Sequence, residues 1–461
     1  MADATQIKKA AAIIQAEDAR RYVVPSAPGK RFREDIKVTD MLYACYELAE
    51  KGEPFAETFA QIRALFEEII SGLGLTLSLD DEFAVIEENF KKRAGSDYAA
   101  SRGEYLNGKV LSAYLNYPFV DAAEVIFFGE DGNLDQEKTM TALRVRLETM
   151  EHAVVPGFYG CGADGYVKTF SRGGSDVTGS LVAGAVKAEI YENWTDVSGF
   201  LVADPRIVEH PAGIRTITYT ELRELSYMGA SVLHEAAIFP VRSAGIPINI
   251  RNTNAPEEPG TMIVPDSNEE SFSAYTITGI AGKKNFTSIN IHKDMMNSQI
   301  GFCRDVLDVL ASNDVCLEHM PSSIDSMTVI VESAQVAGKL DRVLTQLNKR
   351  VAPDKMEVEE HIALVAVVGR GMFRTRGVAA RIFAALAHAR INVKMKSDEE
   401  TEINGMGPDI QPEDIQELFN QLDTLTEKDV LVISGSIPST LPDTMYEQII
   451  ERVQEKKIKV V

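Results

Sequence analysis

Cysteine is scarce, with four in 461 residues, and each of Cys45, Cys161, Cys303 and Cys316 stands alone with no CxxC spacing. That scatter argues against a disulfide framework and against a zinc site, and leaves the four as small buried hydrophobes. There is a single tryptophan, and no apolar run approaches the length that spans a bilayer. Residues 1–11 have none of the charged-then-apolar layout of a signal peptide, so the chain is expected in the cytoplasm, without a membrane partner. Positive charge is in deficit: 47 Lys+Arg against 69 Asp+Glu leave a formal −22. Such a field repels a phosphate backbone unless a basic stripe overrides it, and no stripe is found, so no nucleic-acid partner is expected. What remains is an ordinary folded composition, 45% apolar and 25% charged, on a chain long enough for roughly three domains.

From residue 10 to 253 amphipathic helical stretches alternate with short apolar runs, at 110–115, 125–128 and 246–250, that read as strands. This is the pattern of an α/β layer fold. Residues 254–271 hold Pro256, Pro259, Pro265 and five acidic residues, a polar breaker at which a domain boundary is placed. Beyond it lies an internal repeat. Laying Gly301 on Gly377 pairs Val306 with Ile382, Leu307 with Phe383, Leu310 with Leu386, Val315 with Ile391 and Leu317 with Val393. Each copy reads as a glycine, a helix and a short strand. The first copy continues with a strand at 327–331 and a helix carrying Leu340, Val343, Leu344 and Leu347. The second meets Ile403-Asn404-Gly405-Met406-Gly407-Pro408, which cannot be a regular strand, so the repeat breaks off after about Met395. A fresh unit follows: a helix from Pro412, a buried strand at 430–434, a helix through Met445, Ile449 and Val453, and a strand-like end at 458–461.

Several segments could carry chemistry. Gly160-Cys161-Gly162-Ala163-Asp164-Gly165 has the spacing of a dinucleotide fingerprint, but the following residues 166–170 read as a strand where that motif needs a helix, which favours a hairpin or loop. In Thr169-Phe170-Ser171-Arg172-Gly173-Gly174-Ser175-Asp176 two glycines let the backbone approach a ligand. Ser175 or Asp176 caps the helix that follows, whose N-terminus favours an anion, and Arg172 offers a fork for a carboxylate or phosphate. The same run could be only a capped helix after a tight turn. Ser101-Arg102-Gly103-Glu104 opens another helix, where Glu104 could receive an amine or simply be solvated. Thr195-Asp196-Val197 and Ala203-Asp204-Pro205-Arg206 follow a strand at 189–194, and the carboxyl ends of strands in an open α/β sheet are where ligands bind.

These segments, in this order, resemble an aspartokinase: an amino acid kinase followed by ACT-type regulatory units. The resemblance covers residues 1 to about 395. It rests on Val24-Pro25-Ser26-Ala27-Pro28-Gly29-Lys30, Thr39-Asp40, Ser101-Arg102-Gly103-Glu104, Arg172-Gly173-Gly174-Ser175-Asp176, Trp194-Thr195-Asp196-Val197 and Ala203-Asp204-Pro205-Arg206. It continues through Met228-Gly229-Ala230, Val232-Leu233-His234 and Arg251-Asn252-Thr253 before Pro259-Gly260-Thr261. It implies a three-layer αβα kinase domain over 1–255, a linker over 256–271, a first ferredoxin-like α+β ACT unit over 272–358 and an incomplete second unit over 359–395. The reaction it implies is transfer of the ATP γ-phosphoryl to the side-chain carboxylate of L-aspartate. This is the first step toward lysine, threonine, methionine and diaminopimelate.

By the same resemblance aspartate lies on Thr39, Glu104, Arg172 and Ser175, with Glu104 on the α-ammonium and Arg172 on the α-carboxylate. ATP lies along Thr195, Asp196, Arg206, Ser231 and Val232, and Asp176 organises the centre. Mg2+ assists on the phosphates, and no protein metal site is expected. A feedback amino acid, lysine or threonine, sits by a loop that includes Met296, Gly301 and Phe302, and the ACT units pair the chain as a homodimer.

Two departures bear on activity. The family's opening strand, with its Lys-Phe-Gly-Gly-type motif and catalytic lysine, is taken up here only at its tail, Met1-Ala2-Asp3, and Ser231 stands where many relatives carry a nucleotide-contacting lysine. An impaired, effector-binding remnant is therefore the alternative reading. Residues from about 396 to 461 resemble instead an interior fragment of 1-phosphofructokinase, through Glu402-Ile403-Asn404-Gly405, Gly407-Pro408, the run from Val430 to Pro438, and Leu441-Pro442-Asp443. The fragment has neither that family's anion hole nor its catalytic aspartate, and a fusion or recombined frame is expected.

Overall fold

The computed structural model describes residues 1–171, 173–229, 235–265, 276–391 and 393, then 412–423, 426, 430–431, 445–454, 456 and 459–460. They form two units, Met1–Lys284 with Ala363–Thr375 and Asn285–Ile362 with Arg376–Val461.

The first unit opens with α1 (Ala4–Gln15), capped by Asp3, whose carboxylate accepts from the Gln6 N–H at 2.8 Å. A short strand β1 (Tyr22–Val23) leads to α2 (Val38–Lys51), α3 (Ala56–Leu73), α4 (Asp80–Lys91) and α5 (Ser96–Leu115). Apolar residues at three- and four-residue spacing put Leu42, Ile62, Phe66, Phe83, Phe90 and Leu106 into one core. Its phenyl rings meet edge to face, as Phe59 and Phe83 do at 5.8 Å and 88°. Helix α5 is buried on nearly every face, Ser101, Arg102, Glu104 and Asn107 included. Residues 110–115, expected to be a strand, are its last turns, because a helix covered all round shows no amphipathic period to tell it from a strand. Residues 101–104 sit in its second turn and do not open it.

Next come α6 (Ala122–Val125), α7 (Gln136–Leu147), β2 (Ala153–Val154), β3 (Tyr159–Cys161), β4 (Val167–Thr169), α8 (Gly174–Ala185) and β5 (Tyr191–Thr195). The unit continues with β6 (Thr216–Thr218), α9 (Tyr219–Tyr227), α10 (Glu235–Ala244), β7 (Ile248–Asn252) and β8 (Thr261–Val264). The run 125–128 is not a strand: it ends α6 and gives only the single bridges Phe127–Cys161 and Phe128–Leu134. The strand expected at 246–250 forms two residues later as β7. Residues 160–165 lie in the antiparallel β3–β4 hairpin, which removes the dinucleotide-fingerprint reading. β8 falls inside the polar stretch 254–271, where it pairs antiparallel with β7 and parallel with β6. The four-stranded sheet runs β5-β7-β8-β6.

Among the described residues β1 pairs with β2 alone and β5 with β7 alone. The Arg21 and Val23 carbonyls accept from Ala153 and Val155, so by strand alternation the Tyr22 and Val24 backbone groups face the other edge. That edge and the free edge of β5 border one cavity, described below.

The chain leaves the first unit within β9 (Gly279–His292). The second unit holds α11 (Phe302–Ala311), β10 (Ser326–Glu332), α12 (Ser333–Val336), α13 (Leu340–Val351) and α14 (Val378–His388), and β11 (Lys355–Val368) belongs to it as far as Ile362. β10 runs antiparallel to β9 from Ser326 opposite His292 to Glu332 opposite Phe286, in the order β10-β9-β11. Ile289, Ile291, Val306, Val329, Val331 and Val343 close the core under α11 and α13, the α+β arrangement expected for an ACT unit. The repeat is visible at its glycines: Gly301 (φ 84°) and Gly377 (φ 76°) are left-handed residues preceding α11 and α14. The strand expected after the first repeat helix, at 315–317, does not form, although Val315 is buried in the core. Beyond residue 393 the structure describes α15 (Pro412–Asp423), β12 (Val430–Leu431), α16 (Met445–Gln454) and β13 (Lys459–Val460). β12 and β13 pair in parallel. The rest of the 396–461 fragment, residues 432–434 of its strand included, lies outside the described residues. Cys45 is buried, but Cys303 and Cys316 are exposed, contrary to the expectation for all four.

Candidate active site

A cavity of about 640 Å³ in the first unit is walled by residues 22–27, the first turns of α8 and the length of β5. Gly173, left-handed at φ 58°, is the residue before α8, and among the described residues no side chain caps the helix. Ser175 and Asp176 therefore lie within its first turn, not at the cap position, and both line the cavity. Their backbone is pressed against the loop before β3: a Cβ on Gly157 would stand 2.6 Å from the Ser175 Cα. The Asp176 carboxylate accepts from Asn193 Nδ2 at 2.8 Å, and the Tyr191 hydroxyl donates to the Asp176 carbonyl at 3.3 Å. Burial, and then the Asp176 charge, push Tyr191 well above the usual phenol range, so it stays a neutral donor. At the carboxyl end of β5, Thr195 Oγ1 donates to Asp196 Oδ1 at 3.1 Å, and both residues line the cavity.

Arg20, which the sequence reading missed, also lines the cavity. It donates to Glu192 at 2.6 and 3.2 Å and lies 5.4 Å from the Trp194 ring; Arg251 lies 4.6 Å from the same ring and 3.6 Å from Glu192. Burial pushes the Glu192 carboxyl up, but the hydrogen bonds from Arg20 and Trp194 outweigh it and hold the group below the usual carboxylate range. The only signal in the sequence is a pair of arginines ahead of a strand.

Ser26 and Ala27 form part of the wall, and Glu104 stands behind it, taking a hydrogen bond from the Ala27 N–H. Glu104 is 7% exposed, and its Oε2 has no hydrogen-bond partner among the described residues. Burial pushes its carboxyl up to about 7, against the opposing pull of the backbone N–H groups of Glu104 and Ala27 and of Arg102. Thr39 is half-buried in the first turn of α2, whose Val38 meets α5 at Gly103. The cavity thus unites Ser175, Asp176, Thr195 and Asp196, with Glu104 behind one wall. Arg206 does not line it: its side chain is 85% exposed and ion-paired with Asp204 at 2.6 Å. Arg172, Ser231 and Val232 lie outside the described residues. Of the residues expected at the effector loop, Met296 and Phe302 are buried in the core of the second unit, and Gly301 makes the turn between them.

Among the described residues no group of three or more His, Cys, Asp or Glu could hold a metal ion. A magnesium ion carried on nucleotide phosphates needs only one or two carboxylates, and Asp176 and Asp196 share the cavity, so the donor set fits that kind of ion.

Residues 1–252 match the Amino acid kinase family and residues 365–406 the ACT domain. The chain is 37% identical over 421 residues to Aspartokinase 3 of Bacillus subtilis, covering 88% of this chain and 92% of that relative. The chain belongs to the aspartokinase family. Among solved structures, the aspartate kinase of Clostridium acetobutylicum, described as an allosteric enzyme, matches with a TM-score of 0.81 and 51% identity, over 86% of this chain and 90% of that one. Escherichia coli aspartokinase III in complex with aspartate and ADP matches with a TM-score of 0.63 and 25% identity, over 84% of this chain and 89% of that one. Kinase fold, ACT-type unit and family membership therefore agree with the reading of the motifs.

Proposed function

We propose that the chain transfers the γ-phosphoryl group of ATP to the side-chain carboxylate of L-aspartate, giving 4-phospho-L-aspartate and ADP. The observation that carries this reading is the meeting of the α8 N-terminus, with Ser175 and Asp176, and the carboxyl end of β5, with Thr195 and Asp196, on one cavity beside a buried glutamate with an oxygen that has no partner among the described residues. Glu104 takes the α-ammonium, with Thr39 and Ser175 beside it and Arg172 on the α-carboxylate. This leaves the side-chain carboxylate aimed at the nucleotide. ATP lies along Thr195 and Asp196, with Ser231 and Val232 as further contacts. The attacking carboxylate is already ionised at neutral pH. One of its oxygens bonds to the γ-phosphorus as the bond to the β,γ-bridging oxygen breaks, so no general base is required and positioning carries the rate. Asp176, held by Asn193, organises the centre. Mg2+, when bound, neutralises charge on the phosphates.

Trapping the acyl phosphate with hydroxylamine tests the reading. Aspartyl hydroxamate should form only with both ATP and aspartate present, and Asp176→Asn should slow it about a hundredfold or more. No hydroxamate above the Asp176→Asn control would overturn the proposal. The ACT match supports feedback by an end-product amino acid, lysine or threonine, in a homodimeric cytoplasmic enzyme of that biosynthesis. A second reading, an impaired effector-binding remnant, is favoured by one observation: among the described residues the cavity is lined by arginines and by no lysine. It predicts heat on titration with lysine or threonine and no hydroxamate.

A further inference from the structure

Glu104 is not the only buried acceptor on its face of α5. Asn107 follows it by three residues, a spacing that stacks side chains on one face of a helix, and is fully buried. Its amide orientation is fixed by a contact only a donor can make: Nδ2 donates to the Ser26 carbonyl at 2.7 Å. The Oδ1 is thereby turned away from Ser26, and like Glu104 Oε2 it has no hydrogen-bond partner among the described residues. The neighbouring cation is engaged elsewhere. Arg102 donates to Ser101 Oγ at 2.9 and 3.0 Å and lies over the rings of Tyr98, Tyr105 and Tyr159 at 4.5, 4.6 and 5.2 Å. Each of these two buried acceptor oxygens, without a donor among the described residues, calls for a partner.

We propose that Asn107 is a second acceptor for the substrate's α-ammonium group, its Oδ1 and Glu104 Oε2 each taking one N–H. This rests on the aspartate kinase reading above and adds a binding residue to it. An ammonium has three donors and one charge. A carboxylate and a neutral amide supply two acceptors while matching that single charge, where two carboxylates would leave one in excess. The pair also rejects a diacid that has no amine, because such a ligand leaves both oxygens unpaired. Through Nδ2 the same side chain ties residues 25–27, part of the cavity wall, to α5.

The test is a cycle of variant against ligand in the full chain. Asn107→Ala and Asn107→Ser are compared with the wild type for the KM of aspartate, the KM of ATP, kcat, and inhibition by succinate, which is aspartate without its amine. Loss of a hydrogen bond to a charged group predicts a rise of about 10- to 100-fold in the aspartate KM. Loss of uniform binding leaves kcat and the ATP KM within about threefold, and succinate inhibition should hold or tighten, because both variants remove an oxygen that succinate leaves unpaired. An aspartate KM that does not move in a variant that melts as the wild type does would overturn the proposal. Equal weakening of aspartate and succinate would also overturn it, reducing Asn107 to a wall support or the holder of a bridging water. If the wild type makes no aspartyl hydroxamate, it is the functional reading that fails. Normal wild-type turnover with an unmoved aspartate KM in both variants defeats only the role of Asn107.

Discussion

Glu104 holds a carboxyl titrating at about 7 because burial penalises its charged form. Between pH 4.5 and 7 the native chain keeps a proton that the unfolded chain has released, so this group's contribution to stability falls as pH rises through that window. Charging it costs about 3 kcal/mol at full effect. Glu104→Gln should therefore raise the melting temperature at pH 8 and hardly at pH 4, while weakening aspartate binding. A melting temperature unchanged at pH 8 would contradict the assignment. Aspartate affinity in the wild type should fall as pH drops from 8 to 6, because a protonated Glu104 cannot pair with an ammonium. Phe302 makes a different prediction: it is 2% exposed in a core, so Phe302→Ala should lower stability by about 3–5 kcal/mol, read by denaturant unfolding, whatever it does to an effector. Glu104 was legible as a candidate from its motif. Its burial and its unpartnered oxygen were not, since they arise from α2 and residues 25–27 closing over α5. Arg20 left almost no trace in sequence, because its importance comes from Glu192, 172 residues away.

The start of α8 shows how closely one element is held by another. With a Cβ at Gly157 only 2.6 Å from the Ser175 Cα, Gly157→Ala must push the helix start away from the loop. It should cost about 1–3 kcal/mol in stability and raise the KM of aspartate as Ser175 moves. A variant with wild-type melting and kinetics would contradict that packing. The glycine-rich entrance to this helix could be read from residues 169–176, but not that Gly173 would take the position before the helix and leave Ser175 and Asp176 inside it. Elements that stay in contact with water on one side, such as α11 and α13, kept their period and were readable. α5, covered all round, was not, and its apolar end passed for a strand. The strands β1 and β2 are two residues each, too short for any alternation to register.

Across the whole chain the internal repeat was the most legible feature, since each copy must place a left-handed glycine before its helix, and Gly301 and Gly377 both do. The exchange of segments between units, with 363–375 returning to the first, could not be read, because it depends on contacts far apart in sequence. If lysine or threonine binding to the ACT-type unit changes the affinity for aspartate, linkage requires aspartate to change the effector's affinity by the same factor. Calorimetric titration in both orders should give matching ratios, and unequal ratios would rule out a simple two-site equilibrium. The measurement that bears most directly on the account is a crystal structure of the full chain with aspartate and ADP. The aspartate ammonium should lie on Glu104 and the nucleotide phosphates between Ser175 and Thr195, within the cavity beside β5. Aspartate bound away from Glu104, or phosphates outside that cavity, would contradict it.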